Sequence, residues 1–142
     1  MFTLKHQDGD IEFELENGGF SIQDSKLYLS IETKAKDSEA FPDRFLFAVD
    51  GYPLEQIVDK LQFTIATNPE DETPNVYVYT TFHACEVIAE IEIQSNSETE
   101  ILVSLNVTSE DAMYYNEKAK PNDFVGSAII ESKELEQMWL PS

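Results

Sequence analysis

The chain has 142 residues and a formal net charge of −19, from 28 acidic and 9 basic side chains. This excess goes well beyond the charge of roughly 2 to 8 that keeps a small domain soluble. Because Lys and Arg bind phosphate groups, so acidic a chain is unsuited to nucleic acid or to an anionic membrane surface. Apolar residues make up 42% of the sequence, so we expect one folded domain spanning 1–142.

The cysteine content and the absence of targeting signals indicate a cytoplasmic protein. Cys85 is the only cysteine, which excludes an internal disulfide. No stretch approaches the roughly 20 apolar residues of a membrane-spanning helix, and the first residues lack the pattern of a signal peptide. We therefore expect a cytoplasmic location and no association with a membrane.

Alternation of apolar and polar residues with a period of two dominates the sequence and predicts β-strands. In the first such segment Ile11, Phe13 and Leu15 alternate with acidic residues, and Asn17-Gly18-Gly19 is expected to turn the chain into a hairpin toward Phe20. The alternation recurs in four further segments, which are Leu27 to Ile31, Phe45 to Val49, Phe63 to Ile65 and Val76 to Tyr79. Short strands at this spacing predict a mainly antiparallel sheet of hairpins, either open and curved or barrel-like.

Helical signals are few and short. Pro53 suits the first position of a helix whose apolar face would hold Leu54, Ile57, Val58 and Leu61. Ser109 and Ser132 could each cap a further short helix, and both segments fit irregular turns equally well. The predicted fold is therefore mainly β, of the α+β class, with one to three short helices, the first of which crosses the sheet.

The clearest strand pair spans residues 86–93 and 100–107. Its apolar residues all have odd residue numbers. For both apolar sets to share one face, the residue numbers of any two opposed residues must therefore add up to an even number. A register with Ile93 opposite Ile101 meets this condition and keeps carboxylates on the two strands from facing one another directly. The outer face of the pair is nevertheless acidic.

The acidic residues are concentrated in one half of the chain. No lysine or arginine occurs from Leu61 to Glu117, a segment of 57 residues with 11 carboxylates. Such a one-signed field attracts basic partners, and carboxylates on a rigid sheet can mimic nucleic acid in a basic cleft. Tyrosines of the same segment are candidate apolar anchors, although aromatic residues on strands also serve as cross-strand packing partners. The candidate partner-binding residues are Glu70, Asp71, Glu72, Tyr77, Tyr79, Glu86, Glu90, Glu92, Glu110, Asp111 and Tyr114.

Residues suited to catalysis or metal binding are sparse. His83 and Cys85 are two positions apart, so on a strand they point in parallel, and two ligands are too few for a structural zinc site. Asp8-Gly9-Asp10 lacks the other ligands of a calcium loop. The sequence also lacks a glycine-rich phosphate loop and a nucleophile elbow. We therefore expect no catalytic residues, no metal site and no cofactor.

In size, acidity and lack of motifs the chain resembles bacterial immunity proteins, which neutralise a cognate toxin that is often a basic nuclease. This resemblance lies in composition and size, so it identifies no functional residue. It implies a non-enzymatic inhibitor whose acidic sheet face and tyrosines plug the cleft of a basic toxin. Two alternatives stay open: a small-molecule or lipid-binding β-domain that holds its ligand between the sheet and the helix over Leu54 to Leu61, and adaptation to high salt. The sequence favours neither a monomer nor a homodimer.

Overall fold

In the part of the chain that the structure describes, nine antiparallel β-strands form one sheet that rolls into a nearly closed barrel. A computed structural model describes residues 1–5, 9–40, 42–57, 59–67, 74–80, 86–109 and 122–138. The strands are β1 (Phe2–Lys5), β2 (Ile11–Gln23), β3 (Lys26–Ala35), β4 (Arg44–Pro53), β5 (Lys60–Ala66), β6 (Asn75–Thr80), β7 (Val87–Ser95), β8 (Glu100–Ser109) and β9 (Asn122–Glu131), followed by a 3-10 helix at Leu135–Gln137. The mainly β, antiparallel and barrel-like fold predicted from the sequence is confirmed.

The sheet has two edges, which its curvature brings side by side. The strand order is β5-β7-β8-β9-β1-β2-β3-β4-β6, so β5 and β6 are the edge strands. They approach each other without the hydrogen-bonded ladder that joins the other neighbours in the described part of the chain. We call the line between β5 and β6 the seam. Just beyond the start of β6, the ring of Tyr52 on β4 stacks on the ring of Phe63 on β5.

The barrel interior is a packed apolar core. In most of the described strands alternate residues point inward and are buried, as the period of two in the sequence predicts. In the core Phe124 stacks on Phe45 with ring centroids 3.8 Å apart and on Phe2 with centroids 5.2 Å apart, while Phe13 meets Phe45 and Phe124 edge-on. All four rings are fully buried, and each aromatic pair adds about 0.5–1.5 kcal/mol beyond its buried area.

Glycine at position 126 lets β1 lie close against β9 beside this cluster. Gly126 has a φ of +153°, a conformation that L side chains rarely adopt. A Cβ at this position would collide with the carbonyl oxygen of Met1 and would lie 2.7 Å from Cα of Phe2. Both atoms belong to the backbone, one to Met1 and one to Phe2 at the start of β1, so they cannot rotate away as a flexible side chain would. The close approach of Phe2 to Phe124 therefore depends on this glycine.

The first predicted hairpin is wrong, because the chain forms a β-bulge within the continuous strand β2 at this point and does not turn back. β2 continues through the predicted turn, and its register against β3 shifts between Leu15 and Asn17, so that Glu16 is an extra residue. One extra residue exchanges the two faces of a strand. Phe13 and Phe20, which regular alternation would place on opposite faces, consequently both point into the core.

The glycines that suggested a turn serve close packing instead. A Cβ at Gly18 would lie 2.9 Å from Cδ1 of Ile130, and one at Gly19 would lie 2.8 Å from Cδ of Lys133. β9 and the segment after it thus lie directly against β2. The chain reverses later, at Asp24 and Ser25, whose φ values of 53° and 59° are those of a type I′ hairpin turn.

The helix predicted over Leu54 to Leu61 is wrong. Pro53 is the last residue of β4 and Lys60 is the first residue of β5, which leaves too short a connection for the predicted element. Leu54 and Ile57, which suggested a helical face, pack against the core from this irregular connection. Of the other two predicted helices, the one after Ser109 falls on residues 110–121, outside the described residues, and the last one is reduced to the 3-10 helix.

Candidate functional site

The strand pair predicted on residues 86–93 and 100–107 is formed by β7 and β8, with the odd-numbered residues inward. Its register differs by two residues from the predicted one, because Ile93 lies opposite Val103. The connecting loop explains the difference: the backbone N–H groups of Asn96 and Ser97 both donate to the carbonyl oxygen of Glu100, at 3.0 and 3.1 Å. A loop closed in this way places residue 95 opposite residue 101.

Carboxylates on β7 face uncharged partners, as the sequence analysis expected. Glu90 lies opposite Asn106, and Glu92 lies opposite Ser104. The rule does not extend to the next strand, because Glu100 on β8 lies directly opposite Glu131 on β9. Like charges in this position disfavour the pairing, so the acidity of this side of the barrel has a structural cost.

The outward-facing side chains of β5, β7 and β8 line an open groove of about 430 Å³. They form two rows in cross-strand register, which are Gln62, Glu92 and Ser104, and next to it Thr64, Glu90 and Asn106. We call these six residues and the space between them the outer groove. Phe63, Ile91 and Leu105 lie between the two rows. The groove therefore rests on residues of the packed barrel wall and presents amide, hydroxyl and carboxylate groups to solvent.

Glu92 is held by two side chains of β5. Nζ of Lys60 lies 2.6 Å from Oε1 of Glu92, and Nε2 of Gln62 donates to the same oxygen at 3.2 Å. The hydrogen bond from Lys60 is the main cause of a lowered pKa for Glu92, and desolvation opposes it. Lys60 immediately precedes the segment without lysine or arginine, so a neighbouring residue balances one of that segment's charges.

Glu90 lies in the same groove and has no such partner among the described residues. Its side chain is exposed, and it forms no ion pair with the described residues. Its cross-strand neighbours, Thr64 and Asn106, carry no charge. The groove thus contains one carboxylate whose charge is balanced by Lys60 and one that is open to a cation from outside.

Several of the described cations lie on the opposite side of the barrel, in ion pairs of their own. Lys34 and Arg44 both pair with Glu16, the residue at the bulge of β2. Lys36, just after β3, pairs with Glu12. These short-range pairs place positive charge around β2, β3 and β4. The outer surface of β7, β8 and β9 consequently remains more acidic than that side.

Tyr77 and Tyr79 flank the groove and do not line it. Both project outward from β6, half-buried, opposite Ala48 and Leu46 of β4. Cross-strand packing therefore accounts for part of their burial. Because β6 lies across the seam from β5, the rolled sheet places these tyrosines on the strand next to the β5 wall of the groove.

The remaining candidate residues are placed as follows. Glu86 is exposed just before β7 and is not part of the groove lining. Glu70, Asp71, Glu72, Glu110, Asp111 and Tyr114 lie outside the described residues, as do His83 and Cys85. In the ranges that the structure describes, no group of three or more His, Cys, Asp or Glu side chains is arranged to hold a metal ion. These same ranges contain no helix that is long and apolar enough to cross a membrane.

Four residues of the groove were missed by the sequence analysis, namely Gln62, Thr64, Ser104 and Asn106. They carry no charge, so a search for clusters of charge gives no signal for them. Gln62 and Thr64 also come from a strand that is not consecutive with its neighbour, because β6 separates β5 from β7 along the chain. Only the register of the folded sheet brings them together.

Comparison with known proteins gives no relative: no protein-family model, no curated protein and no solved structure matches the chain. The resemblance to immunity proteins therefore stays one of composition and size. The functional argument depends on the geometry and charge of the outer groove.

Proposed function

We propose that this protein is a non-enzymatic acidic binding protein of the immunity or inhibitor type, which docks a basic partner protein, such as a toxin, on the outer face of β5, β7 and β8. One observation carries the proposal: Glu90 is an exposed carboxylate in a groove and has no ion pair with the described residues, whereas Lys60 already balances Glu92 beside it. A basic surface provides the missing counter-charge. Electrostatic attraction of this kind speeds encounter and improves selectivity.

Apolar side chains on both sides of the groove supply contacts that charge alone does not. Leu102 on β8 lies opposite Ile129 on β9, and the Ile129 side chain is 45% exposed. Ile88 on β7, beyond the other end of the groove, is 55% exposed. Apolar anchors of this kind usually provide much of the affinity of a protein interface. Their position beside the two glutamates supports a protein partner over a small cation.

The face is large enough for a small specific interface. Neighbouring strands lie about 4.8 Å apart, and strands of this length extend about 30 Å, so four strands from β5 to β9 cover roughly 600 Å². A standard interface buries about 800 Å² on each partner. The tyrosines of β6 across the seam extend the face toward that size.

Charge favours a different protein over a second copy of this chain. Two copies with a net charge of −19 each would bring like charges together, whereas a basic protein would neutralise them. We place this interaction in the cytoplasm, in agreement with a chain whose single cysteine forms no internal disulfide.

The lipid-binding alternative has no specific support in the described residues. The helix that would cover its ligand is not formed, and the cluster of Phe2, Phe13, Phe45 and Phe124 packs the core. It stays an untested hypothesis.

Charge reversal in the groove tests the proposal. Wild-type protein, the double variant E90K/E92K and the control E14K/E39K are immobilised, and lysate of the native organism is applied at low salt. Glu14 and Glu39 are also exposed but lie on β2 and in the loop after β3, so the control changes the net charge equally. We expect one basic protein that is retained by the wild type and by the control, is lost from E90K/E92K, and binds the purified wild type at 1:1 stoichiometry. Equal retention on all three columns would contradict the proposal, as would equal loss from both variants. Circular dichroism would establish that the variants are folded.

A further inference from the structure

We infer that the outer groove binds an arginine side chain of the partner at Glu90, in preference to a lysine side chain. The inference rests on the proposed function and specifies the chemical group by which the partner is recognised. It follows from the geometry of the acceptors around Glu90 and from the cation that the groove already holds.

Hydrogen-bond acceptors surround the open carboxylate. Thr64 and Asn106 flank Glu90 in the same row, and each presents a side-chain oxygen. Gln62 uses its Nε2 as a donor to Glu92, which leaves its amide oxygen as an acceptor. Ser104, which lies opposite Glu92 on β8, contributes a hydroxyl group from the neighbouring row. The groove therefore offers side-chain oxygens from β5 and β8 on both sides of the Glu90 carboxylate.

A guanidinium group matches this arrangement better than an ammonium group does. Arginine presents five N–H donors in one plane and no acceptor, so it can bind a carboxylate with two parallel hydrogen bonds and still donate to neighbouring oxygens. Lysine has three donors on a compact and strongly hydrated charge. Because the acceptors at Glu90 come from β5, β7 and β8, a flat, multidentate donor reaches more of them at once.

Lys60 leaves one position in the groove for such a cation. Its Nζ lies 2.6 Å from Glu92, and its side chain is 57% exposed. Residues two apart on one side of a strand are separated by about 6.8 Å, so the ammonium group repels a second cation at Glu92 more strongly than one at Glu90. The partner's arginine is therefore directed to Glu90, with one arginine for each groove.

Two short peptides of equal charge test the inference. The probes are acetyl-Gly-Ser-Arg-Ser-Gly-amide and the same peptide with lysine in place of arginine, titrated into 15N-labelled protein at low salt. We expect the arginine peptide to bind about fivefold to tenfold more tightly, a range typical of one additional hydrogen bond. The amide shift changes should centre on residues 64, 90 and 106. E90Q should abolish the preference, and E14Q, which removes an equivalent charge on β2, should retain it.

The outcomes separate this inference from the proposed function. Equal affinity for the two peptides, or an arginine preference that survives in E90Q, would overturn the arginine inference and leave the charge-reversal test of the basic partner intact. Partner binding that survives in E90K/E92K would contradict the proposed function, whatever the peptides show.

Discussion

The rings of Tyr52 on β4 and Phe63 on β5 stack with their centroids 3.9 Å apart and 18° between their planes. The two strands are not hydrogen-bonded neighbours, because β4 pairs with β3 and β6 whereas β5 pairs with β7. The stacked rings thus join the two sides of the seam through side chains. They also support the outer groove, since Phe63 lies between Gln62 and Thr64 on its β5 wall.

Removing one of these rings should loosen the seam. Because Phe63 is half-buried, we expect Phe63→Ala to reduce the free energy of unfolding by about 2 kcal/mol, less than the loss for a fully buried phenylalanine. Urea denaturation of the wild type, Tyr52→Ala, Phe63→Ala and the double variant measures the effect. The two substitutions should couple by about 1 kcal/mol, as a direct aromatic contact does. Strictly additive losses would show that the stacking contributes nothing of its own.

Gly126→Ala should destabilise the protein far more than alanine at another glycine with positive φ. The new Cβ would collide with Met1 and Phe2 backbone atoms, so we expect a loss of about 2–4 kcal/mol in the free energy of unfolding. Gly9 is the matched control, because its φ is +126° and a Cβ there would meet no atom within 4 Å. Thermal denaturation that gives equal losses for both variants would remove the steric explanation.

Deleting Glu16 should prevent folding, whereas Glu16→Ala should not. The deletion removes the bulge and would turn either Phe13 or Phe20 out of the core, because one residue exchanges the faces of a strand. Glu16→Ala keeps the bulge and removes only the exposed ion pairs with Lys34 and Arg44, which contribute at most about 1 kcal/mol each. Far-UV circular dichroism and chemical-shift dispersion distinguish the two results. A folded deletion variant would show that the bulge does not determine the register.

Regular alternation in the sequence predicts many of the strands but not the path of the chain. Phe45, Phe47 and Val49 alternate cleanly with less buried or small residues, so β4 is evident from the sequence. β9 was missed because Gly126 and Ser127 interrupt its pattern and because Ile129 and Ile130 are adjacent apolar residues on opposite faces. The bulge was missed because a glycine pair resembles a turn until the strand packed against it is known.

The candidate site was predictable in part. Glu90 and Glu92 were identified from the alternation of β7, which places them outward. It was not predictable that only Glu92 of the two would have its charge balanced within the described residues. That balance depends on Lys60, which the pairing of β5 with β7 places beside Glu92. Such pairing between strands that are not consecutive in the chain arises from closure of the whole sheet, about which local sequence carries little information.

The lowered pKa of Glu92 gives a pH-dependent prediction. Because the folded-state pKa lies below the ordinary value of 4.5, the ion pair favours the folded state above pH 4.5, and this contribution is lost as the pH falls through the folded-state pKa. Since both side chains are accessible to solvent, the change in stability should be small. An NMR titration of the side-chain carboxyl groups should show Glu92 titrating below 4.5, and Lys60→Gln should raise its pKa. A midpoint unchanged by Lys60→Gln would exclude Lys60 as the cause.

The most direct test of the outer groove as the binding site is calorimetric titration of the purified partner into the wild type, E90Q and E14Q at two salt concentrations. We predict that E90Q weakens binding about tenfold at low salt and reduces its salt dependence, because one charge-assisted contact is lost, while E14Q changes the dissociation constant less than twofold. Equal dissociation constants for the wild type and E90Q at both salt concentrations would contradict the account.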